Sequence, residues 1–175
     1  MPTSFAEYFA RVQESLEHLY GIRVVIRDIA DPLIGDLDGA EIHIDPVCNP
    51  EQQLFLAAHL FGHTAQWNVD PHAFELGTRY QPPVEKKAIP AILDYEREAA
   101  AYALHMLHRI GITDIDQWFS EYAACDEAYL LHYYRTGEKS EFRTFWRDNV
   151  PLVQPKPVPL FTPLRRRFRM DGVVI

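Results

Sequence analysis

The spacing of apolar residues along the chain predicts five helices and two short strands. Apolar side chains recur at intervals of three and four over residues 5–20, 50–67, 88–110 and 115–136, and a shorter stretch of this kind follows Ser140. Residues 22–26 are rich in β-branched side chains, and residues 41–45 alternate polar with apolar side chains, as in a half-exposed strand. The turn-rich residues 28–40 separate the two strands, and residues 68–88 are predicted to form a long loop.

Several polar residues mark where the predicted helices begin. Ser4 and Glu7 have the spacing of a capping box, which predicts that the first helix starts directly after Ser4. Asn49 is a favourable cap for the second helix, because Pro50 then takes the first helical position. Thr113 is expected to cap the helix that follows it.

The predicted architecture is an α+β fold, in which a small antiparallel sheet packs against a mostly helical body. A chain of 175 residues is long enough for one domain with a substantial core. No repeat or linker interrupts the chain before residue 150, so residues 1–150 form a single predicted domain. Residues 151–175 are rich in proline and then basic, and we expect this tail to dock on the domain.

The composition is that of a packed globular protein with an acidic surface. Hydrophobic residues make up 47% of the chain and the net charge is −8, which argues against disorder and against nucleic-acid binding by the whole surface. Cys48 and Cys125 have no C-x-x-C spacing, so we expect a reducing, cytoplasmic location. The sequence contains no long apolar run and no signal-peptide pattern, so no association with a membrane is expected.

The helix predicted over residues 50–67 carries two histidines with the spacing of metal ligands. One helical turn separates His59 from His63, so their imidazoles leave the same face of the helix and can bind one ion. Zinc peptidases have the motif H-E-x-x-H on such a helix, with the glutamate as general base. Leu60 occupies the position of that glutamate here. The sequence therefore retains the ligands of the motif and lacks its base.

The order of motifs resembles that of the ImmA/IrrE family of zinc metallopeptidases over about residues 5–108. The family has a strand I-x-I/V, then F-x-x-A-H-E-x-G-H, then E-x-E-A-x-x-F-A-x-x-L on a later helix. The counterparts here are E-I-H-I at residues 41–44, F-L-A-A-H-L-F-G-H at residues 55–63 and E-R-E-A-A-A-Y-A-L-H-M-L at residues 96–107. Order, spacing and residue type together carry the resemblance.

The resemblance implies a zincin-like pair of active-site helices that share one zinc ion. It implies that His59, His63 and Glu98 are the zinc ligands, with Glu98 supplied by the helix predicted over residues 88–110. Members of this family often act on, or beside, helix-turn-helix regulators. A protein or peptide partner, for which such a regulator is one candidate, is therefore implied by the resemblance alone.

Three functions remain open from the sequence. The leading hypothesis is a metallopeptidase-like pseudoenzyme that binds metal, lacks conventional endopeptidase activity and acts in recognition or regulation. A positioned general base contributes about 10²–10⁴-fold to a rate, so its loss would remove most of the activity. The second hypothesis is an active zinc-dependent peptidase with an unconventional base, for which Tyr102, His105 and Asp94 are candidates near Glu98. The third is a metal-free structural or interaction protein.

A cluster of basic residues at positions 165–169, R-R-R-F-R, interrupts the acidic character of the chain near its end. Such a cluster can contact nucleic acid, an acidic partner or the acidic body of the protein itself. A solvated or self-docking tail is the favoured interpretation, because the rest of the chain is acidic.

Overall fold

The computed structural model describes residues 3–30 and 33–166. Five α-helices and a three-stranded sheet make up these residues, which confirms the predicted α+β class. The elements in chain order are α1 (Phe5–Tyr20), β1 (Arg23–Ile26), β2 (Gly35–Leu37), β3 (Glu41–Ile44), α2 (Pro50–Val69), α3 (Pro71–Arg79), α4 (Ile89–Arg109) and α5 (Asp116–Thr136). Two short 3₁₀ turns, Lys86–Ala88 and Phe142–Phe145, precede α4 and follow α5.

Both predicted caps of α1 and α2 are present. The Ser4 hydroxyl accepts a hydrogen bond from the Glu7 amide, and the Glu7 carboxylate accepts one from the Ser4 amide. Asn49 and Gln52 form the same reciprocal pair at the start of α2, where Pro50 takes the first helical position. These caps satisfy amides that have no partner within the helix, and they fix where each helix begins.

The sheet differs from the predicted antiparallel pair of strands. Its order is β1-β3-β2, with β3 parallel to β1 and antiparallel to β2. The expected antiparallel pairing of residues 22–26 with residues 41–45 is therefore wrong. The turn-rich segment 28–40 contains β2, a strand of only three residues, and this strand reverses the chain before β3 enters between the other two.

The starts of two helices also differ from the prediction. A polar residue beside a proline or a turn can either cap a helix or belong to a loop, so its position alone does not identify the start of a helix. Residues 68–88 were expected to be a loop, but Asp70 caps α3 by accepting a hydrogen bond from the amide of His72, and Pro71 opens the helix. Thr113 does not cap the following helix, which begins at Asp116 without a side-chain cap. The short helix expected after Ser140 is the 3₁₀ turn Phe142–Phe145.

The helix pair α2 and α4 forms the centre of the molecule. The side chains of α2 are buried continuously from Leu54 to Trp67, because the sheet, α1 and α4 cover it on several sides. Small residues on α4, among them Ala99 and Ala103, are fully buried where the two helices meet. A close approach of two helices requires small side chains at the contact. This contact sets the distance between the groups that the two helices carry.

The segment after residue 150 is extended and lies against the helical body. The amide of Val153 donates to the Ser120 hydroxyl (2.9 Å), and the amide of Lys156 donates to the carbonyl oxygen of Ala101 (3.1 Å). Further along, the Arg165 guanidinium pairs with Asp38 at 3.0 Å. Residues 151–166 therefore contact α4, α5 and the β2–β3 turn. The rest of the predicted tail, including the last three residues of the basic cluster, lies outside the described residues.

In the part of the chain that the structure describes, no helix is both long enough and apolar enough to cross a membrane.

Candidate metal centre

Three buried side chains meet between α2 and α4. The Nε2 atom of His59 lies 3.1 Å from Nε2 of His63, and the Glu96 Oε2 atom lies 3.0 Å and 3.1 Å from these two nitrogens. Each of the three residues is no more than 6% exposed. Three potential ligand atoms thus converge on one point inside the protein.

The third member of this group is Glu96, whereas the resemblance had implied Glu98. Two residues along a helix correspond to a rotation of about 200°, so the two carboxylates of α4 leave nearly opposite faces. Glu98 is directed toward the C-terminal segment, where its Oε1 atom pairs with the Lys156 ammonium. The structure therefore brings His59 and His63 together with Glu96 and leaves Glu98 outside the group.

Glu98 is nevertheless connected to the group through one side chain. His63 Nδ1 lies 2.9 Å from Gln66 Oε1, and Gln66 Nε2 donates to Glu98 Oε2, also at 2.9 Å. The amide oxygen only accepts hydrogen bonds, so this contact holds a proton on Nδ1 of His63. Such partners orient metal-ligating histidines. Glu98 holds Gln66, and Gln66 holds the imidazole.

The two imidazole rings are also fixed by aromatic neighbours. The His59 ring stacks on Phe55 with a centroid distance of 5.3 Å, and the His63 ring stacks on Tyr95 at 4.3 Å. Nδ1 of His59 has no hydrogen-bond partner among the described residues, so the ring is oriented by stacking on Phe55 and by the contact of Nε2 with Glu96. Both Nε2 atoms therefore face the Glu96 carboxylate without competing contacts from the backbone.

The charge of the group suits a cation. Burial by itself raises the pKa of Glu96, but the neighbouring His63 and His59 outweigh it and lower that pKa to about 2. Glu96 is therefore an anion at neutral pH. Two imidazoles and one carboxylate form the donor set of several catalytic zinc sites, with ligand distances of about 2.0–2.2 Å. The spacing of the three atoms is close to what one ion at such distances requires, so the residues fit a zinc ion.

Leu60 has no access to this group. It is fully buried on the side of α2 that faces the sheet, and a Cβ atom at Gly35 on β2 would lie 3.0 Å from its Cδ1 atom. The position that carries the base in H-E-x-x-H helices is therefore part of the apolar core between α2 and β2. None of its side-chain atoms can accept a proton or a hydrogen bond.

The three residues expected as substitute bases make their contacts elsewhere. Tyr102 packs beneath the Lys156 ammonium, 5.3 Å from its ring centroid, and His105 Nδ1 accepts a weak hydrogen bond from the amide of Val158 at 3.4 Å. Asp94 is exposed to solvent. Tyr102 and His105 belong to the face of α4 that holds Glu98, and they face the C-terminal segment with it.

A fourth polar side chain approaches the group from α5 and was missed by the sequence analysis. The Asp126 Oδ2 atom lies 3.9 Å from Nε2 of His59, and the side chain is only 17% exposed. Burial raises the pKa of Asp126 to about 7, the positive character of His59 acts against this, and the charge of Glu96 adds to it. No motif contains Asp126, because only the packing of α5 against α2 and α4 brings it here.

Two cavities reach this region, and His59 and Asp126 line both of them. The first cavity, of 260 Å³, is lined by the charged residues Glu96, Arg97, Asp126 and Glu127, by His59 and Ser120, and by several alanines, and Pro151, Val153 and Gln154 form part of its wall. The aromatic cavity, of 180 Å³, is lined by Phe55, His59, Tyr122, Asp126, Tyr129 and Phe142, among others. A small molecule in either cavity would contact the side chain of a potential metal ligand.

No protein-family model, curated protein or solved structure matches this chain. The likeness to the ImmA/IrrE family therefore rests on the three motifs quoted above. In the described geometry, two residues of those motifs, His59 and His63, meet a carboxylate of the third motif, and that carboxylate belongs to Glu96.

Proposed function

We propose that the chain is a metallopeptidase-like domain that binds one divalent ion, preferably zinc, through His59, His63 and Glu96. The observation that supports this most directly is the convergence of their three ligand atoms within 3.0–3.1 Å of one another in a buried position. Bringing an anion and two imidazoles into the interior is unfavourable unless they are paired, and a bound cation would pair with all three. Nickel or iron can replace zinc in such a donor set in vitro.

A bound zinc ion supplies Lewis acidity toward a carbonyl oxygen. The residues of the chain supply the rest of the site: Gln66 holds the proton of His63 at Nδ1, and stacking against Phe55 fixes the ring of His59. Since Leu60 offers no base, the domain lacks conventional endopeptidase activity. Its role is recognition or regulation, with a protein or peptide as partner, and a helix-turn-helix regulator is suggested by the resemblance.

Metal analysis of the protein purified without added zinc tests this proposal. We expect about one ion per chain, since the described residues contain one three-ligand set. A His59→Ala, His63→Ala double variant should contain none, because a single carboxylate cannot hold the ion. His72→Ala is the matched control, since His72 is exposed on α3 and should leave the metal content unchanged. Full metal content in the double variant would overturn the proposal and favour the metal-free interaction protein.

The position of Asp126 favours a second candidate function, an active metal-dependent hydrolase. This carboxylate lies 3.9 Å from His59 Nε2 and lines both cavities, so it can accept a hydrogen bond from a ligand or a water molecule beside the donor set. If the chain is such a hydrolase, Asp126 acts as the general base, which is the role of the glutamate in the H-E-x-x-H motif. It replaces Tyr102, His105 and Asp94 as the residue to be tested.

Cleavage of an unstructured protein such as casein distinguishes the two candidates. We expect the wild type to show no cleavage that a chelator inhibits and that His63→Ala abolishes. If such cleavage is observed, the variants Asp126→Asn and Glu127→Gln decide its origin. Glu127 is the neighbouring acid, and it already pairs with Arg97 at 2.6 Å. Loss of cleavage in Asp126→Asn alone would establish the hydrolase and refute the pseudoenzyme.

A further inference from the structure

A series of aromatic contacts leads away from the candidate metal centre. The ring of His59 stacks on Phe55, and Phe55 stacks on Tyr122 with a centroid distance of 4.1 Å. Tyr122 contacts Phe142 at 5.3 Å, and Phe142 contacts Tyr129 at 5.7 Å. These rings belong to α2, α5 and the 3₁₀ turn Phe142–Phe145. Together they form the wall of the aromatic cavity.

The lining of this cavity combines polar and aromatic side chains. It includes His59, whose Nε2 atom belongs to the proposed metal-binding group, and the Asp126 carboxylate. Tyr129 and Phe142 line the same cavity, together with the polar Lys139 and Ser140. The cavity therefore joins a position for a metal-binding donor atom to a position for an apolar group.

The volume of the aromatic cavity limits what it can hold. A dry apolar cavity of about 150 Å³ accommodates one benzene molecule. At 180 Å³ the aromatic cavity has room for one aromatic ring or one branched aliphatic group. Aromatic walls favour such groups, because rings gain from offset or edge contacts with one another.

We infer that the aromatic cavity binds the apolar group of a ligand whose carbonyl, carboxylate or hydroxamate oxygen reaches the His59, His63 and Glu96 group. The class of ligand is a compact molecule or a peptide residue with an aromatic or branched apolar group beside an oxygen donor. This inference rests on the proposed metal site and adds to it a specificity determinant, the wall formed by Phe142, Tyr129 and Tyr122. A peptide partner would insert one apolar side chain here.

Two hydroxamates that differ in one group test this inference on the zinc-loaded full chain. Acetohydroxamate carries a methyl group and reports on the metal alone, whereas benzohydroxamate adds a phenyl ring. We expect benzohydroxamate to bind at least about tenfold more tightly in calorimetric titrations, because its ring leaves water for the aromatic cavity. Phe142→Ala should remove most of this difference and leave acetohydroxamate binding intact.

Phe145→Ala is the matched control, since Phe145 lies in the same turn and does not line the cavity. It should keep the preference for benzohydroxamate. If Phe142→Ala does not fold, Tyr129→Ala opens the same wall from α5 and should have the same effect. Equal binding of both hydroxamates to a fully zinc-loaded wild type would overturn the inference and leave the metal site standing. The inference also fails if Phe142→Ala and Phe145→Ala keep the same preference. Absence of zinc binding would instead remove the proposed function itself.

Discussion

Replacing Gly62 by alanine should lower the free energy of unfolding by about 3 kcal/mol or more, at the upper end of what overpacking costs. A Cβ atom at position 62 would lie 2.1 Å from the carbonyl oxygen of Ala99 and 2.6 Å from its carbonyl carbon. Both are backbone atoms of α4, so no rotation of a side chain can relieve the contact. The helices α2 and α4 would have to move apart along their whole interface. Chemical denaturation monitored by circular dichroism measures the loss.

The sign of this effect distinguishes it from ordinary helix propensity. Alanine is favoured over glycine by about 1 kcal/mol in a helix, so without the contact Gly62→Ala would stabilise the protein. Ala10→Gly, at an exposed position of α1, measures that propensity difference in this protein. A Gly62→Ala variant as stable as the wild type would mean that α2 and α4 are further apart than described. The positions of Glu96 and His59 would then also need revision.

The same contact explains why the structure brings Glu96 to the two histidines, whereas the sequence motif implied Glu98. The spacing of His59 and His63 is a local property of one helix, so the sequence was sufficient to place both on one face. To choose between Glu96 and Glu98, one must know how α4 is rotated about its axis. The contact of Ala99 with Gly62 sets this rotation. The sequence did contain a signal for it. Ala99 and Ala103 lie three and seven residues after Glu96, and this small-residue face is the one that packs closely on α2.

Other parts of the fold depend on packing that no local pattern reveals. Asp126 is one of several acidic residues on α5, and it becomes part of the site only because α5 crosses beside His59. Strand β2 has three residues, too few for a recognisable alternation, so the parallel pairing of β1 and β3 was missed. The α+β class could be predicted from the sequence because the long helices and their caps depend on residues close together in the chain.

Glu96→Gln should weaken zinc binding by about 10²–10³-fold, whereas Glu98→Gln should weaken it by no more than about tenfold. Binding of a zinc ion by four protein ligands contributes about 10–16 kcal/mol, so one ligand accounts for roughly 2.5–4 kcal/mol. Glutamine at position 96 keeps the shape of the side chain and removes its charge. A residue that hydrogen-bonds to a metal ligand typically contributes about 10–100-fold to metal affinity. Glu98 is more distant than that, because it contacts His63 only through Gln66.

Competition with a chromophoric chelator measures both affinities on the same scale, and the two variants serve as controls for each other. Both remove one negative charge from α4, so a general electrostatic effect on zinc would be similar in the two. Of the two carboxylates, only that of Glu96 has an oxygen within 3.1 Å of Nε2 in both His59 and His63, so only its loss should leave the ion with two protein ligands. The reverse order of affinities would restore Glu98 as the ligand that the family resemblance implied. It would also require α4 to turn by nearly half a rotation about its axis, a change that the Gly62–Ala99 contact opposes. Gly62→Ala tests that contact without any metal, so the stability of this variant provides an independent check of the rotation of α4 that brings Glu96 to the histidines.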